Sequence, residues 1–286
     1  MTRSLTSEEQ PHDATRMRLG PLVLPDWILV AFVYLVPLAF MVARSLGEAD
    51  PVTLDVEVTG SVQSYRTLFG SLYRPVIIRS LTLAVLNVGL CLLIGIPAAL
   101  ALSRFEGRAR TRRLVAVMLP SFVSFTVRIF SWQGVLATGG PVESVTGRQL
   151  LYRPPAVLIG MITAYVPLFI LPAYVALSRV PRALTDAAAD LGASRRQQLL
   201  NVTLPLALPG IVTGAVAVGV LSVGEFVVPA LLGGGKVLLL GNILNERGAG
   251  RDQPLGGAIT VTMLAFFAVA GLMLVLLRRR GVSHVR

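Results

Sequence analysis

The chain has 286 residues, of which 54% are hydrophobic and 14% are charged. A soluble domain has about a quarter of its residues charged, so this composition excludes an ordinary soluble globular protein and indicates a membrane protein. The net charge of +11 comes from residues in short segments between long apolar runs. That distribution fits membrane topology and anionic lipid better than nucleic acid. The single cysteine, Cys91, cannot form an intramolecular disulfide.

Six apolar runs are long enough to cross a bilayer, whose hydrocarbon core of about 30 Å needs about 20 residues per helix. They are residues 27–46, 80–102, 114–137, 154–177, 206–232 and 256–277. The sequence therefore predicts an all-α integral membrane protein with six transmembrane helices within residues 25–278. Residues 1–24 are predicted to be a disordered cytoplasmic tail, and residues 279–286 a basic cytoplasmic tail.

The basic residues predict the orientation. With both termini in the cytoplasm, the inside segments carry sixteen basic residues and the outside loops carry eight, as the positive-inside rule requires. The first apolar run is too long for a cleavable signal sequence, and Arg44 stands where a small-residue cleavage site should end. We therefore expect an uncleaved first helix.

Motifs for catalysis are incomplete. The glycines before Lys236 do not form a phosphate-binding loop, because Ala230 and Val237 occupy positions that need glycine and Ser or Thr. A serine nucleophile at Ser194 would need a histidine base, and His12 and His284 both lie in the tails. The sequence predicts no catalytic residue and no metal site, so the chain is not expected to be an enzyme.

The loop between the fourth and fifth spans, residues 180–205, contains a predicted helix outside the membrane. Pro181 suits its first position and Gly192 suits the residue just after its end. The residues that share its apolar face are Leu184, Ala187, Ala188 and Leu191. A helix of about eleven residues is marginal alone. It packs either on the cytoplasmic ends of its own bundle or in a groove of another protein, and the residues alone favour neither.

The same loop resembles a known motif. It reads Asp186-Ala187-Ala188, three residues, Gly192, nine residues, then Val202-Thr203-Leu204-Pro205. This resembles the EAA loop of ABC-importer permeases, in which Glu-Ala-Ala, glycine and Ile-x-Leu-Pro have the same spacing. The resemblance implies that the helix docks in a cytoplasmic ATPase subunit. The implied docking residues are Leu184, Asp186, Ala187, Ala188, Leu191 and Gly192.

The resemblance extends over roughly residues 27–277. Segments such as Leu119-Pro120-Ser121, Val127-Arg128 with Trp132, and Gly224-Glu225-Phe226-Val227 are similar to the first permease subunit of the spermidine/putrescine group. Residues 138–150 depart from that pattern. The resemblance implies the MetI-like fold, in which six transmembrane helices carry a cytoplasmic coupling helix.

The resemblance also implies the partners and the cellular location. They are a second homologous permease, two cytoplasmic ATPase subunits and an extracytoplasmic solute-binding protein, all at a bacterial inner membrane. ATP and Mg²⁺ would bind the ATPases, and no cofactor would bind this chain. The implied substrate is a polyamine, or another small organic solute such as an opine or amino-acid-like compound. A stand-alone secondary transporter would show internal repeats, which are not evident.

Two ionisable residues lie inside predicted spans, Arg128 in the third and Glu225 in the fifth. Each residue's depth in the membrane follows from its distance along the helix to the outer end of its span, at 1.5 Å per residue. The two depths are similar, so the two side chains could meet. Either they form a structural ion pair, or Glu225 lines the outer half of the passage and attracts a cation. The residues predicted for the passage are Glu225, Arg128, Trp132 and Phe226.

Overall fold

The computed structural model describes residues 20–49, 55–248 and 252–283. The α-helices are α1 (Gly20–Ser45), α2 (Gln63–Phe69), α3 (Arg74–Ser103), α4 (Gly107–Phe122), α5 (Phe125–Leu136), α6 (Pro141–Thr146), α7 (Pro154–Ser178), α8 (Arg182–Asp190), α9 (Arg195–Gln198), α10 (Leu204–Val223), α11 (Val227–Gly233), α12 (Leu240–Gly248) and α13 (Gln253–Ser283). A π-helical turn, Leu199–Thr203, joins α9 to α10, and β1 (Glu48–Ala49) pairs antiparallel with β2 (Val56–Glu57).

Four helices are long and apolar enough to cross a membrane: α3, α7, the continuous helix Arg195–Val223, and Gln253–Leu272 within α13. They correspond to the predicted second, fourth, fifth and sixth spans. The apolar part of α1, Leu29–Ser45, is shorter. The all-α fold is confirmed, whereas the described residues do not confirm the predicted count of six spans.

The chain divides into two units between Phe40 and Met41. Helix α1 begins at Gly20, so the last five residues of the predicted tail 1–24 are helical, and residues 1–19 lie outside the described ranges. At the other end, α13 continues to Ser283 into the predicted tail 279–286.

The predicted third span, 114–137, is wrong as a single straight helix. Gly107–Phe122 and Phe125–Thr146 are bent by 83° at a break. Val123 has an extended ψ of 139° and Ser124 one of 129°. Pro120 lies in the last turn of α4, where it has no amide hydrogen for the preceding turn. The helix therefore ends soon after this proline and the chain changes direction.

The predicted fifth span, 206–232, is also interrupted. Helix α10 ends at Val223, and α11 begins at Val227. Gly224 and Glu225 lie in the break between them. Glu225 therefore does not lie on a helical face of α10, because the helix ends before it.

Helix α7 lies at the centre of the core and packs on α3 and α10. The ring of Phe169 is fully buried where Gly95 of α3 and Gly214 of α10 approach it. A Cβ at Gly95 would lie 2.2 Å from Phe169 Cδ1, and one at Gly210 would lie 2.3 Å from Ala176 Cβ. Gly210 and Gly214, four residues apart, therefore let α7 approach α10 closely.

The bundle has two ends that matter for function. At the α8 end, α3 and α7 finish at residues 103 and 178 and the loop with α8 begins. At the α12 end, α3 begins, and the Leu240 amide donates to Ser80 Oγ at 2.9 Å. Between the ends, Asn87 Nδ2 donates to Ser222 Oγ at 2.8 Å, which joins α3 to α10.

Candidate coupling helix and passage residues

The predicted loop helix is present as α8, Arg182–Asp190. Pro181 precedes it as the N-cap rather than occupying its first turn. Gly192 has a φ of +84°, a left-handed conformation that glycine adopts without steric cost. Its amide donates to Ala189 O at 2.8 Å, and the Ala193 amide donates to Ala188 O at 3.0 Å. The predicted glycine cap is therefore confirmed.

The apolar face of α8 is open. Leu184 is 46% exposed and Leu191 is 89% exposed. Ala187 and Asp186 are also exposed, and Ala188 is half-buried. No residue of α8 is buried, so the helix does not cover this face with its own bundle. Packing of this face on its own bundle, one of the two alternatives left by the sequence, is therefore not observed in the described part of the chain.

Few interactions attach α8 to the rest of the described chain. Arg182 pairs with Glu106 at 2.5 Å, but both side chains are more than 70% exposed, and such a surface pair contributes at most about 1 kcal/mol. After α8, Ser194 and Gln197 form a reciprocal capping box at the start of α9. The chain then continues without a break as the helix Arg195–Val223. The loop is therefore weakly attached to the neighbouring helix ends, and it continues directly into a membrane-spanning helix.

Glu225 lies at the break between α10 and α11 and is only 6% exposed. Its carboxylate accepts hydrogen bonds from the amides of Val227 at 2.8 Å and Val228 at 3.1 Å, and from the hydroxyl of Tyr165. The two amides belong to the first turn of α11, where a carboxylate is favoured by the free N–H groups and the helix dipole. All three hydrogen-bond donors to the Glu225 carboxylate therefore belong to this chain.

Arg128 does not pair with Glu225. Its Nη1 donates to Pro120 O at 2.8 Å, its guanidinium lies 5.8 Å from the Phe125 ring centroid, and its buried Nε has no hydrogen-bond partner. The ion-pair alternative is not observed, because its depth estimate treated both spans as uninterrupted helices. Both spans are interrupted: the Glu225 carboxylate accepts from two backbone amides beside one break, and Arg128 Nη1 donates to the Pro120 carbonyl beside the other.

The four predicted passage residues fall in two places. Arg128 and Trp132 line one cavity of about 340 Å³ at the bend between α4 and α5, together with Pro120, Val123, Ser131 and Val135. Phe226 lies at the other break, with its side chain 42% exposed, directly after Glu225. Glu225 and Phe226 are not among the residues that line the cavity of Arg128 and Trp132.

The sequence interpretation missed two residues of this break. Tyr165, from α7, donates to Glu225, and Asn242 Nδ2 donates to Phe226 O at 2.9 Å. Asn242 Oδ1 also accepts from the Leu239 amide at 3.1 Å. Both are polar residues in largely apolar surroundings, which is the signal that could have identified them.

Comparison with known proteins decides the family. Residues 91–282 match the family described as binding-protein-dependent transport system inner membrane component. The chain belongs to this family. It is thus a permease subunit of an ABC importer, and such subunits are not themselves enzymes. The predictions of family, fold class and absence of enzymatic activity are confirmed.

Relatives of this permease have closely similar lengths. The spermidine/putrescine transport system permease protein PotB of Escherichia coli (strain K12) is 31% identical over 255 residues, which cover 86% of this chain and 91% of that protein. PotB of Haemophilus influenzae (strain ATCC 51907 / DSM 11121 / KW20 / Rd) is 33% identical over 218 residues, covering 73% and 76%. The match therefore includes most of the permease.

Solved structures support the same fold at lower identity. A bacterial alginate ABC transporter in complex with an alginate pentasaccharide-bound periplasmic protein has a TM-score of 0.66 at 20% identity, covering 92% of this permease and 98% of that chain. The MetNI methionine ABC transporter has a TM-score of 0.58 at 17% identity, covering 74% and 99%. ATPase and binding-protein partners are expected for such an importer.

Proposed function

We propose that the importer containing this permease transports polyamines of the spermidine and putrescine type. The observation that carries the proposal is the 31–33% identity to PotB permeases over most of the chain. We further propose a complex with one homologous second permease, two ATPase subunits that bind ATP and Mg²⁺, and one extracytoplasmic solute-binding protein. This chain would bind no cofactor of its own.

We also propose that the α8 end faces the cytoplasm and that both termini are cytoplasmic. The sixteen-to-eight distribution of basic residues supports this orientation. In that orientation, α8 is on the side where the ATPases bind ATP. The 4–5 candidate spans of the described residues do not by themselves determine the direction, so the charge distribution carries this part of the proposal.

The proposed coupling runs from α8 into the membrane. The open face with Leu184, Ala187, Ala188 and Leu191 would seat in a groove of an ATPase subunit, Asp186 would make a polar contact at its edge, and Gly192 would fix the end of the helix. Because Arg195–Val223 is one continuous helix, movement of the loop would move this helix and the break that follows it.

A second candidate substrate class follows from Arg128. Its guanidinium lines the cavity with Trp132 and has no carboxylate partner there, so this part of the permease repels a polyamine and attracts an anionic group. A small solute with a carboxylate, such as an opine or an amino-acid-like compound, would fit this charge. Identity to PotB favours polyamines, whereas the local electrostatics of the cavity favour the carboxylate solute.

The two candidates are separated with the reconstituted importer and its solute-binding protein. ATP hydrolysis is measured in proteoliposomes with spermidine, putrescine, arginine and an opine as additions. The proposal predicts stimulation by spermidine or putrescine at lower concentration than by the other two. Stimulation by the opine alone would reject the polyamine assignment and support the carboxylate solute.

A further inference from the structure

A basic cavity of about 760 Å³ lies at the α8 end of the bundle, between the last turns of α3 and α7 and the loop that carries α8. Its charged lining consists of Arg104, Arg110, Arg182, Arg195 and Glu106. Four guanidinium groups and one carboxylate leave three positive charges. Glu106 already pairs with Arg182, so it does not neutralise the other three arginines.

The other three arginines have no anionic partner among the residues that the structure describes. Arg110 Nε donates to the neutral hydroxyl of Tyr174, and its guanidinium carbon lies 5.2 Å from that ring's centroid. Within the described ranges, the side chains of Arg104 and Arg195 form no hydrogen bond or ion pair. The cavity therefore presents unused guanidinium donors.

The hydroxyl groups in the lining are already engaged as donors. Ser103 Oγ donates to Leu100 O at 2.9 Å, Ser178 Oγ to Val175 O at 3.0 Å, and Thr185 Oγ1 to Arg182 O at 2.7 Å. The free donors of this cavity are consequently its arginines. Planar guanidinium groups bind phosphate through two parallel hydrogen bonds, so the chemistry suits a phosphate-bearing ligand.

Apolar side chains line another part of the cavity, at the ends of membrane-spanning helices and in the loops that follow them. Leu100 lies in the last turn of α3 and Leu177 in the last turn of α7, and the other apolar lining residues are Phe105, Val180 and Leu199. The cavity therefore lies where the spans leave the hydrocarbon region. An apolar wall beside guanidinium groups matches a molecule with both an acyl-glycerol part and a phosphate. A free phosphate or an ATPase carboxylate would use only the basic side.

We propose that this cavity binds an anionic phospholipid, whose headgroup phosphate contacts Arg104, Arg110 and Arg195. Arg182 and Thr185, both from α8, line the same cavity, so the bound lipid would hold the start of α8 beside the ends of α3 and α7. Basic pockets between transmembrane helices bind such headgroups in other membrane proteins. The inference rests on the proposed function in one respect: if the α8 end faces the cytoplasm, the bound lipid comes from the cytoplasmic leaflet.

The test measures lipid binding to the full-length permease, purified with its partner permease in detergent, by native mass spectrometry. The protein is titrated with phosphatidylglycerol, phosphatidylcholine and inorganic phosphate. We expect phosphatidylglycerol to bind more tightly than phosphatidylcholine. One arginine near an anionic surface contributes about fivefold in affinity, so Arg104→Gln with Arg195→Gln should weaken phosphatidylglycerol binding about 25-fold.

Two further variants control for charge and folding. Arg66→Gln with Arg148→Gln makes the same charge change near the α12 end, at exposed positions, and should leave the phosphatidylglycerol affinity within about twofold. Arg104→Lys with Arg195→Lys keeps the charge at the cavity, and should retain more of the affinity than the glutamine pair.

Other outcomes would overturn the proposal. Equal loss in both glutamine pairs would mean a non-specific charge effect. Displacement of phosphatidylglycerol by millimolar inorganic phosphate would assign the cavity to a small free anion. Unchanged lipid binding together with loss of the ATPase from the complex would assign the arginines to the ATPase contact. Because binding is measured without transport, a negative result here leaves the polyamine proposal standing.

Discussion

Glu225 is an acidic residue in an apolar part of the chain, and its hydrogen bonds explain why it is tolerated there. Two backbone amides of α11 and the hydroxyl of Tyr165 satisfy its carboxylate. A buried charge without such partners is strongly unfavourable. The residue therefore positions the break between α10 and α11, which gives it a structural role whether or not the passage runs beside it.

Glu225→Gln should lower the stability of the permease by about 1–3 kcal/mol, because it replaces charge-assisted hydrogen bonds by neutral ones. Arg128→Gln should not restore the loss, since Arg128 bonds to Pro120 instead. Stability is measured by denaturant titration of the single and double variants in micelles. Tyr165→Phe serves as the coupled control and should be non-additive with Glu225→Gln. Recovery in the Arg128 double variant would restore the ion-pair interpretation.

Glycine is required at position 95 because the Phe169 ring packs directly against its Cα, and not because of its backbone φ angle. Gly95→Ala places a methyl group 2.2 Å from Phe169 Cδ1, and the fully buried ring has no free space to enter. We expect a loss of about 1–3 kcal/mol, measured by the same denaturant titration. Gly89→Ala is the matched control in α3, because nothing lies within 4 Å of its added methyl group. Equal effects of the two substitutions would contradict the packing account.

At the scale of elements, α8 combines a weak attachment to its own bundle with a continuous helical connection to α10. A short helix alone is marginally stable in water. The rest of this chain buries too little of the apolar face of α8 to stabilise the helix. A partner groove would supply the missing burial. The same exposure makes the contact testable without disturbing the fold.

Leu191→Ala should leave the fold intact and weaken ATPase binding by about tenfold, because Leu191 is 89% exposed in the permease alone and burying a leucine is worth about 1.5–3 kcal/mol. Binding is measured by titrating the purified ATPase into the detergent-solubilised permease pair. Leu72→Ala, at a residue 71% exposed near the α12 end, should have no effect. If both variants bind like the wild type, α8 does not dock through this face.

Hydropathy predicted the long spans well and the breaks poorly, for a physical reason. A run of about 20 apolar residues shows that a segment lies in the membrane, and the ends of α3 and α7 lie within six residues of their predicted positions. The summed hydropathy of a segment does not change where the backbone leaves the helical conformation. Hydropathy therefore does not predict the breaks at residues 123–124 and 224–226. Contacts such as Tyr165 with Glu225, which are sixty residues apart, arise only from tertiary packing.

The coupling loop was more predictable because its signals are local. Gly192 marks the helix end, and the apolar spacing from Leu184 to Leu191 marks the face. These features need no information from other helices. The charged cavity beside the loop, by contrast, gathers arginines from three separate segments, and only the folded chain shows that they share one space.

For the whole molecule, the orientation in the membrane is tested by cysteine labelling. Cys91 is replaced by alanine, and single cysteines are placed at Ser71 and Ser144 near the α12 end, and at Ala109 and Ser194 near the α8 end. All four positions are exposed. The charge distribution predicts that the first two label in intact cells and the last two only after permeabilisation. Labelling of Ser194→Cys in intact cells would reverse the orientation.

The most direct test of the central claim is uptake of radiolabelled spermidine into proteoliposomes that contain the complete importer, with the solute-binding protein outside and ATP inside. The account predicts uptake that requires ATP and the binding protein. It also predicts loss of uptake with Ala188→Glu, which would place a charge on the docking face of α8. Spermidine uptake by this chain without an ATPase, or full uptake with Ala188→Glu, would contradict it.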